Sequence, residues 1–419
     1  MKQYRLSAPP RLNGIVGLPA SKSISNRALI IYALSGGRNL PRNLSDCDDT
    51  EVIINALRFM PKEIDIKAAG TAMRFMTAYL SVMRGTHVLT GTERMQHRPI
   101  GILVDALRAL GADIEYVGAA GYPPLRITGK TLQGGLLQIP GNVSSQYISA
   151  LLMIGPMLNK GLSLQLTGDI ISRPYIDLTL WTMREFGADA EWVSADTIDV
   201  KPRPYKNRDY FIENDWSSAS YWYEIMALSN HHDSEIRLTG LMDGSKQGDS
   251  VTRYIFSLLG VKTAFETKEE GVPQTVTISK NGRCVPRLEY DFVNSPDLAQ
   301  TFVVTCAAKN IPFRFKGLAT LKIKETDRIE ALKREMAKLG YVIHDAGGSE
   351  LYWEGERCAP TLSEGIDTYE DHRMALAFAP YALLTDGLII NNPQVVTKSY
   401  PHYWEDLASI GFQIEETEK

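Results

Sequence analysis

One pattern of apolar and polar positions returns along the chain. An amphipathic helical run closes on a large apolar residue and a glycine, and a short alternating strand follows. It reads Val104 to Leu110 and Gly111 before Ala112 to Tyr116, then Thr182 to Phe186 and Gly187 before Ala188 to Val193. It returns with Gly260 before Val261 to Phe265, Gly340 before Tyr341 to His344, and Gly411 before Phe412 to Ile414. These glycines lie 76, 73, 80 and 71 residues apart, each where a helix would end in a left-handed residue. The spacing exceeds solenoid periods and mixes strands with helices, so it predicts a large internal α/β repeat. Each repeat should hold a polar helix start, a helix, a strand, a hairpin and a second helix. Glu51 to Met60 predicts the matching helix of a first repeat. Pro61 follows it and Gly70 comes soon after, so that repeat is expected to lack its hairpin.

The helix starts carry the chemistry. Leu18-Pro19-Ala20-Ser21-Lys22-Ser23 runs into the apolar stretch Ala28 to Leu34, which Gly36-Gly37 stops. This predicts a helix from about Ile24 to Ser35 with Ser23 as N-cap. Helix N-termini are partially positive and normally attract acids, so Lys22 and Arg27 are unfavourable there unless an anion joins them. Gly17 followed by Lys22-Ser23 mimics a phosphate-binding P-loop but lacks the glycine before the lysine. Similar starts recur at Gly70 to Arg74, Arg98-Pro99, Asn142 to Gln146 and Ser172-Arg173-Pro174-Tyr175. In the second half they are Asp215 to Ser218, Ser295-Pro296-Asp297, Lys324 to Arg328, Asp371-His372-Arg373 and Lys398 to Pro401. Such starts facing one space would hold a ligand, or a pair, carrying several negative charges.

Composition narrows the ligand. A chain of 419 residues suits two or three domains. Its net charge of −4 argues against a nucleic-acid partner, which needs a broad basic face. The anion should therefore be small and locally held. The 4 cysteines are scattered without a CxxC pair and the 7 histidines form no HxxxH, so no metal is expected. No apolar run reaches about 18 residues and the opening has no signal-like apolar stretch, so we expect no membrane partner and a cytoplasmic protein with reduced thiols.

The same stretches carry a resemblance. LPASKSISNRA, AGTAMR, RMQHRPIG, SSQYISALL, SRPYID, DWSSASYW, KETDRI, YEDHRMALAFA and TKSYPHYWEDL occur in this order over residues 18 to 407. Together they resemble the motifs of the 5-enolpyruvylshikimate-3-phosphate synthase family. The resemblance implies a mixed α/β fold of two similar domains. Each would have three βαβαββ units around a pseudo-threefold axis, an inside-out α/β barrel, with the active site in the interdomain cleft. The implied domains are 20–212, with the shikimate 3-phosphate site, and 1–19 plus 213–419, with the catalytic carboxylates. The implied reaction moves the enolpyruvyl group of phosphoenolpyruvate to the 5-hydroxyl of shikimate 3-phosphate and releases phosphate.

Residue roles follow from the same resemblance. Lys22, Asp297 and Glu325 would be catalytic, with Asp297 beside the 5-hydroxyl and Glu325 serving the methylene. Shikimate 3-phosphate would meet Lys22, Ser23, Arg27, Ser144, Ser145, Gln146, Ser172, Tyr175, Asp297 and Lys324. Phosphoenolpyruvate would meet Lys22, Gly70, Arg98, Gln146, Arg328, Arg373 and Lys398. Asp49, Asp215 and His372 match positions close to the cleft, although Asp215 also suits an N-cap and His372 a packed histidine. Trp216, Tyr221 and Trp222, at helical spacing, are expected in the core. No cofactor and no metal is implied, and a monomer is expected.

Two alternatives are testable in the sequence. A UDP-N-acetylglucosamine enolpyruvyl transferase would carry Lys-Asn where Lys22-Ser23 stands and a cysteine within residues 92–97, which hold none. A non-catalytic anion-binding relative would have lost an acid or base, yet Lys22, Asp297, Glu325 and Lys398 are present. One departure stands out. The family's NAGTAMR begins here with Ala68, Phe75 follows Arg74 where proline is frequent, and the stretch Met60 to Lys67 is short. Weaker phosphoenolpyruvate affinity is the expectation.

Overall fold

All five repeat glycines adopt the backbone their position called for: φ is +100° at Gly111, +80° at Gly187, +97° at Gly260, +90° at Gly340 and +103° at Gly411. They follow the helices Gly101–Ala109, Arg173–Glu185, Thr252–Ser257, Arg328–Lys338 and Tyr403–Ser409. A Cβ in that conformation would crowd the backbone, so the glycine sets where each helix stops. Strands Asp113–Tyr116, Ala190–Trp192, Val261–Phe265 and Gln413–Glu418 come next. The fourth case differs, because the strand starts only at His344. Tyr341 is 3% exposed, with the Arg357 guanidinium 3.9 Å above its ring, and it pairs only through an isolated antiparallel bridge to Arg357.

The computed structural model describes residues 2–418 and divides into two units. One comprises Ala20–Ile212, and the other the chain up to Pro19 together with everything from Glu213 onward. Each unit has its own apolar core.

In Ala20–Ile212 two repeats are complete. Glu63–Asp65, Gly85–Thr90, Leu125–Gly129 and Asp113–Tyr116 form one four-stranded sheet, in that spatial order. Gly135–Pro140, Leu162–Thr167, Thr197–Val200 and Ala190–Trp192 form the other. In both, the first two strands pair in parallel across a helix and the last two form an antiparallel hairpin. The remaining repeat holds the helices Lys22–Leu34 and Asp48–Phe59 and only the isolated bridge Arg42–Phe211. Met60 ends the second helix at φ +40°, and the next strand already belongs to the neighbouring sheet. That helix begins before Glu51 because Asp48 and Asp49 complement its positive first turn.

The other unit is threaded through the chain's beginning. Asn13–Gly17 pairs in parallel with Glu235–Met242, so this repeat opens before residue 20 and resumes after 212. Leu288–Asp291, Phe313–Lys316, Glu350–Trp353 and His344–Ala346 complete a second sheet. In the last sheet Lys2–Ser7 lies between Leu388–Asn391 and Gln413–Glu418, antiparallel to both. Trp216, Tyr221 and Trp222 are at most 2% exposed and belong to the core, as their spacing suggested.

The re-entry segment after Ile212 is tightly held. Asp215 donates its N–H to the Pro19 carbonyl at 2.9 Å, and Gln247 donates to the Asn214 carbonyl at 2.8 Å. Glu213 is 4% exposed; its Oε1 accepts from Ser245 at 2.7 Å, while Oε2 has no hydrogen-bond partner. Burial pushes its carboxyl up to about 7, opposed by Ser245 and Gln247 and assisted by Asp215. Folding thus favours the neutral acid, and that stabilisation is complete below the ordinary glutamate range and lost as pH rises through about 7. Glu213→Gln should therefore gain stability over the parent on going from about pH 5 to 8, on the order of 3 kcal/mol by urea unfolding. A pH-independent difference would refute this.

Candidate active site

The helix Lys22–Leu34 starts earlier than the apolar pattern implied, and Ser21, not Ser23, is its N-cap. Ser21 is fully buried and extended, and its hydroxyl accepts the Ile24 N–H at 3.4 Å. Lys22 and Ser23 consequently occupy the first turn, beside N–H groups that lack helical partners. Lys22 Nζ pairs with Asp49 Oδ2 at 3.2 Å, and Asp49 is 3% exposed.

Arg27 is the more unusual cation. It is 3% exposed and donates to the Thr179 hydroxyl at 2.7 Å, the Ser149 hydroxyl at 3.1 Å, and the carbonyls of Ser23 at 2.9 Å and Tyr175 at 3.3 Å. Among the described residues no carboxylate pairs with it, and burial lowers it to about 10. A buried charge held only by neutral groups is costly unless an anion completes it.

A second cationic corner forms at the helix Gly70–Val82. A side chain at residue 70 would collide with Arg98, whose Nη1 lies 2.6 Å from the place of a Cβ, and with Arg74 Nη1 at 3.1 Å. Gly70 therefore lets two guanidinium groups converge on a helix N-terminus. Arg74 is anchored by the carbonyls of Gly70 and Pro99. Gln146 donates to Thr71 at 3.2 Å, tying this corner to the helix Ser145–Ile154, which Ser144 caps through the Gln146 N–H. Ser172 precedes the helix Arg173–Glu185 at φ +53° and is 7% exposed; Tyr175 N–H returns to its carbonyl at 3.1 Å. Arg173 is turned away onto the Trp192 ring at 4.0 Å.

In the other unit one guanidinium gathers three acids. Arg328, 1% exposed and first in its helix, bonds Asp371 at 2.6 and 3.2 Å, Asp297 at 2.8 Å and Glu325 at 2.8 Å. Burial works against its charge, but Asp371, Glu325 and Asp297 keep it protonated. Asp297 is further matched by Lys324 at 3.3 Å and Arg373 at 3.6 Å, and Glu325 by Lys398 at 3.3 Å. Burial would raise Asp297, yet Lys324, Arg373 and Arg328 together hold its carboxyl well below the usual range. Neither acid is a helix cap: Asp327 caps the Arg328 helix, and Glu325 lies before it.

Other expected positions differ in detail. Lys398 ends the 3₁₀ segment Pro393–Lys398 instead of starting a helix. Pro393 locks that segment's first turn, and the helix itself waits until Tyr403. Asp215 caps the helix Trp216–Leu228 by accepting from the N–H and hydroxyl of Ser218. His372 is 2% exposed and 3.7 Å from Asp371. Sequence reasoning missed Asp371 as a partner of Arg328. Its signal was its place before His372-Arg373, where it does cap the helix His372–Phe378. No group of metal ligands occurs among the described residues, and no helix there is long and apolar enough to cross a membrane.

Residues 6–65 and 59–407 match the family model for EPSP synthase (3-phosphoshikimate 1-carboxyvinyltransferase). The chain belongs to the EPSP synthase family. A Bacteroides fragilis 3-phosphoshikimate 1-carboxyvinyltransferase is 60% identical over 98% of both chains. One from Aliivibrio fischeri is 34% identical over 98% of this chain and all of its own. The solved EPSP synthase of Acinetobacter baumannii superposes with a TM-score of 0.79 at 20% identity, each chain fully covered, which places the fold. The enolpyruvyl transferase NikO from Streptomyces tendae reaches 0.72 at 16% identity over 99% of both.

Proposed function

We propose that the chain transfers the enolpyruvyl group of phosphoenolpyruvate to the 5-hydroxyl of shikimate 3-phosphate and releases phosphate. The observation that carries this reading is Arg328 holding Asp297 and Glu325 side by side, each also matched by a lysine. The reaction needs two proton-transfer groups and cations for the leaving phosphate. Asp297, held ionised, takes the 5-hydroxyl proton as that oxygen attacks the central carbon. Glu325 enters the step protonated and delivers that proton to the methylene. Phosphate then leaves the tetrahedral adduct with the proton that Asp297 took, and a methyl proton returns to Glu325, so both acids are restored.

Within Ala20–Ile212, Arg27 and Ser23 are assigned to the shikimate carboxylate, with Ser144, Ser145 and Ser172 on its phosphate and Gln146 and Tyr175 against the ring. Arg98 at Gly70, with Arg328, Arg373 and Lys398 of the other unit, is assigned to phosphoenolpyruvate. Planar forks suit its carboxylate, while Lys22 and Lys398 act as point charges. Lys324 joins Asp297 on shikimate 3-phosphate. The same reading carries a cytoplasmic monomer that needs neither metal nor cofactor.

Phosphate release from the two substrates, followed by a coupled assay, tests the reading directly. Activity with UDP-N-acetylglucosamine instead, or with neither acceptor, would reject it. Lys22→Ala should lower kcat about a hundredfold through lost charge stabilisation, and lower Tm because the buried Asp49 loses its lysine. Turnover within tenfold of the parent would contradict its role.

Ala68 lies exposed in the turn before the Gly70 helix, whose N-cap Ala69 offers no side-chain bond. Ala68→Asn should lower KM for phosphoenolpyruvate alone, by up to about tenfold, as a restored donor to a charged partner allows. An unchanged KM means that another group already fills that role.

A further inference from the structure

Three helices of Ala20–Ile212 repeat one spacing behind the residues assigned to shikimate 3-phosphate. Four positions after Ser23 comes Arg27, four after Ser145 comes Ser149, and four after Tyr175 comes Thr179. Residues so spaced lie on one helix face, a turn apart, and the helices are Lys22–Leu34, Ser145–Ile154 and Arg173–Glu185. The second member of each pair meets the other two. Arg27 is almost wholly buried, and Ser149 and Thr179 are fully so. Arg27 Nε donates to the Thr179 hydroxyl at 2.7 Å and Nη2 to the Ser149 hydroxyl at 3.1 Å, and the two hydroxyl oxygens are 2.7 Å apart.

The protons of this cluster have one consistent arrangement. The Thr179 hydroxyl donates to the Tyr175 carbonyl at 2.8 Å, one turn back in its own helix. Its proton is thereby committed, so Ser149 donates the bond between the two hydroxyls. Thr179 Oγ1 then accepts from both Arg27 and Ser149 and is saturated, while Ser149 accepts from Arg27. Arg27 gives one N–H from Nε, two from Nη2, and one from Nη1 to the Ser23 carbonyl. Its second Nη1 N–H has no partner among the described residues. The groups that hold this guanidinium, the Phe75 ring at 5.5 Å included, are neutral. They fix its place without cancelling its charge.

We propose that Ser149 and Thr179 are positioning residues of the acceptor site, a hydroxyl pair that locks Arg27 and leaves its charge for the carboxylate of shikimate 3-phosphate. The proposal rests on the assignment of Arg27 to that carboxylate. An acidic side chain at 149 or 179 would also hold the guanidinium, but it would supply the counter-ion from within the protein. Two hydroxyls supply geometry alone, so the acceptor's anion completes the pair. The arrangement selects for an acidic acceptor, because a ring without a carboxylate leaves a buried cation unanswered.

The test is calorimetry with shikimate 3-phosphate, plus KM and kcat from phosphate release, on the parent, Thr179→Val, Thr179→Ser, Ser149→Ala and Arg27→Met. Valine keeps the shape of threonine and removes the oxygen that accepts from Arg27. Kd and KM for shikimate 3-phosphate should rise about tenfold in Thr179→Val, the ordinary worth of one hydrogen bond to a charged group. The kcat should stay within about threefold of the parent, because the contact is made in ground and transition states alike. Thr179→Ser restores the hydroxyl and should restore binding to within about twofold. In an Arg27→Met background Thr179→Val should change Kd no further, since no guanidinium remains to be positioned. An equal loss in both backgrounds is the mark of a merely structural role and overturns the proposal. If Arg27→Met does not fold, the analogue of shikimate 3-phosphate lacking the carboxylate takes its place. That analogue should bind the parent and Thr179→Val alike, and weaker binding to the variant overturns the proposal. If Thr179→Val does not fold, Ser149→Ala carries the same comparisons. Parent-like affinity in Arg27→Met would remove the carboxylate assignment and the proposal with it. Weak binding to Arg27→Met beside parent-like binding to Thr179→Val would sink the positioning role alone. A parent that binds shikimate 3-phosphate in this pattern but never releases phosphate would sink the transferase reading and leave the hydroxyl pair's role standing.

Discussion

Arg328→Met is expected to destabilise the protein by roughly 3–5 kcal/mol, the usual cost of removing one partner from a buried ion network. The guanidinium is 1% exposed and is the common partner of Asp297, Glu325 and Asp371, the last of which is fully buried. Without it three carboxylates remain close together with less compensation. Their protonation would relieve the strain, so the deficit should be smaller near pH 5 than near pH 8. Arg328→Lys keeps the charge but loses the fork that bonds Asp371 twice, and should fall between methionine and the parent. Urea unfolding at both pH values decides the matter. A methionine variant as stable as the parent at pH 8 would mean that Lys324, Arg373 and Lys398 suffice for those acids.

Glu325→Gln is expected to reduce kcat roughly 10²–10⁴-fold, the range for losing a positioned proton donor. Glutamine keeps an oxygen for Arg328 and Lys398, which now lie 2.8 and 3.3 Å from the carboxylate, so the fold and Tm should hold. KM for shikimate 3-phosphate should stay within a few-fold, because the residues assigned to that substrate's charged groups belong to Ala20–Ile212. Asp297→Asn should lose activity comparably but also some stability, since its carboxylate answers Arg328, Lys324 and Arg373 together. Activity within tenfold of the parent in Glu325→Gln would remove it from the proton path.

Legibility followed the range of the interaction. The start of the first helix offered two serines, and the apolar run from Ile24 favoured Ser23. The structure chose Ser21 because that residue is buried and its hydroxyl reaches the Ile24 N–H. Lys398 looked like a helix start because polar residues and Pro401 surround it, yet a 3₁₀ segment begun by Pro393 precedes it.

By itself the sequence determined the α/β repeat, the glycine at each helix end, the cationic helix starts and the acids available for proton transfer. Those depend on backbone preference and residue chemistry within a few positions, which the pattern records. Only the tertiary structure decided which acid meets which cation. Arg328 and Glu325 are neighbours in sequence, but Asp297 reaches the same guanidinium from the other helix start of that repeat and Asp371 from the next repeat. It also decided that Lys2–Ser7 and Asn13–Gly17 complete sheets built mostly from the chain's second half. Strand partners and buried ion pairs arise from burial and charge balance between distant segments, and no local window of residues contains that information.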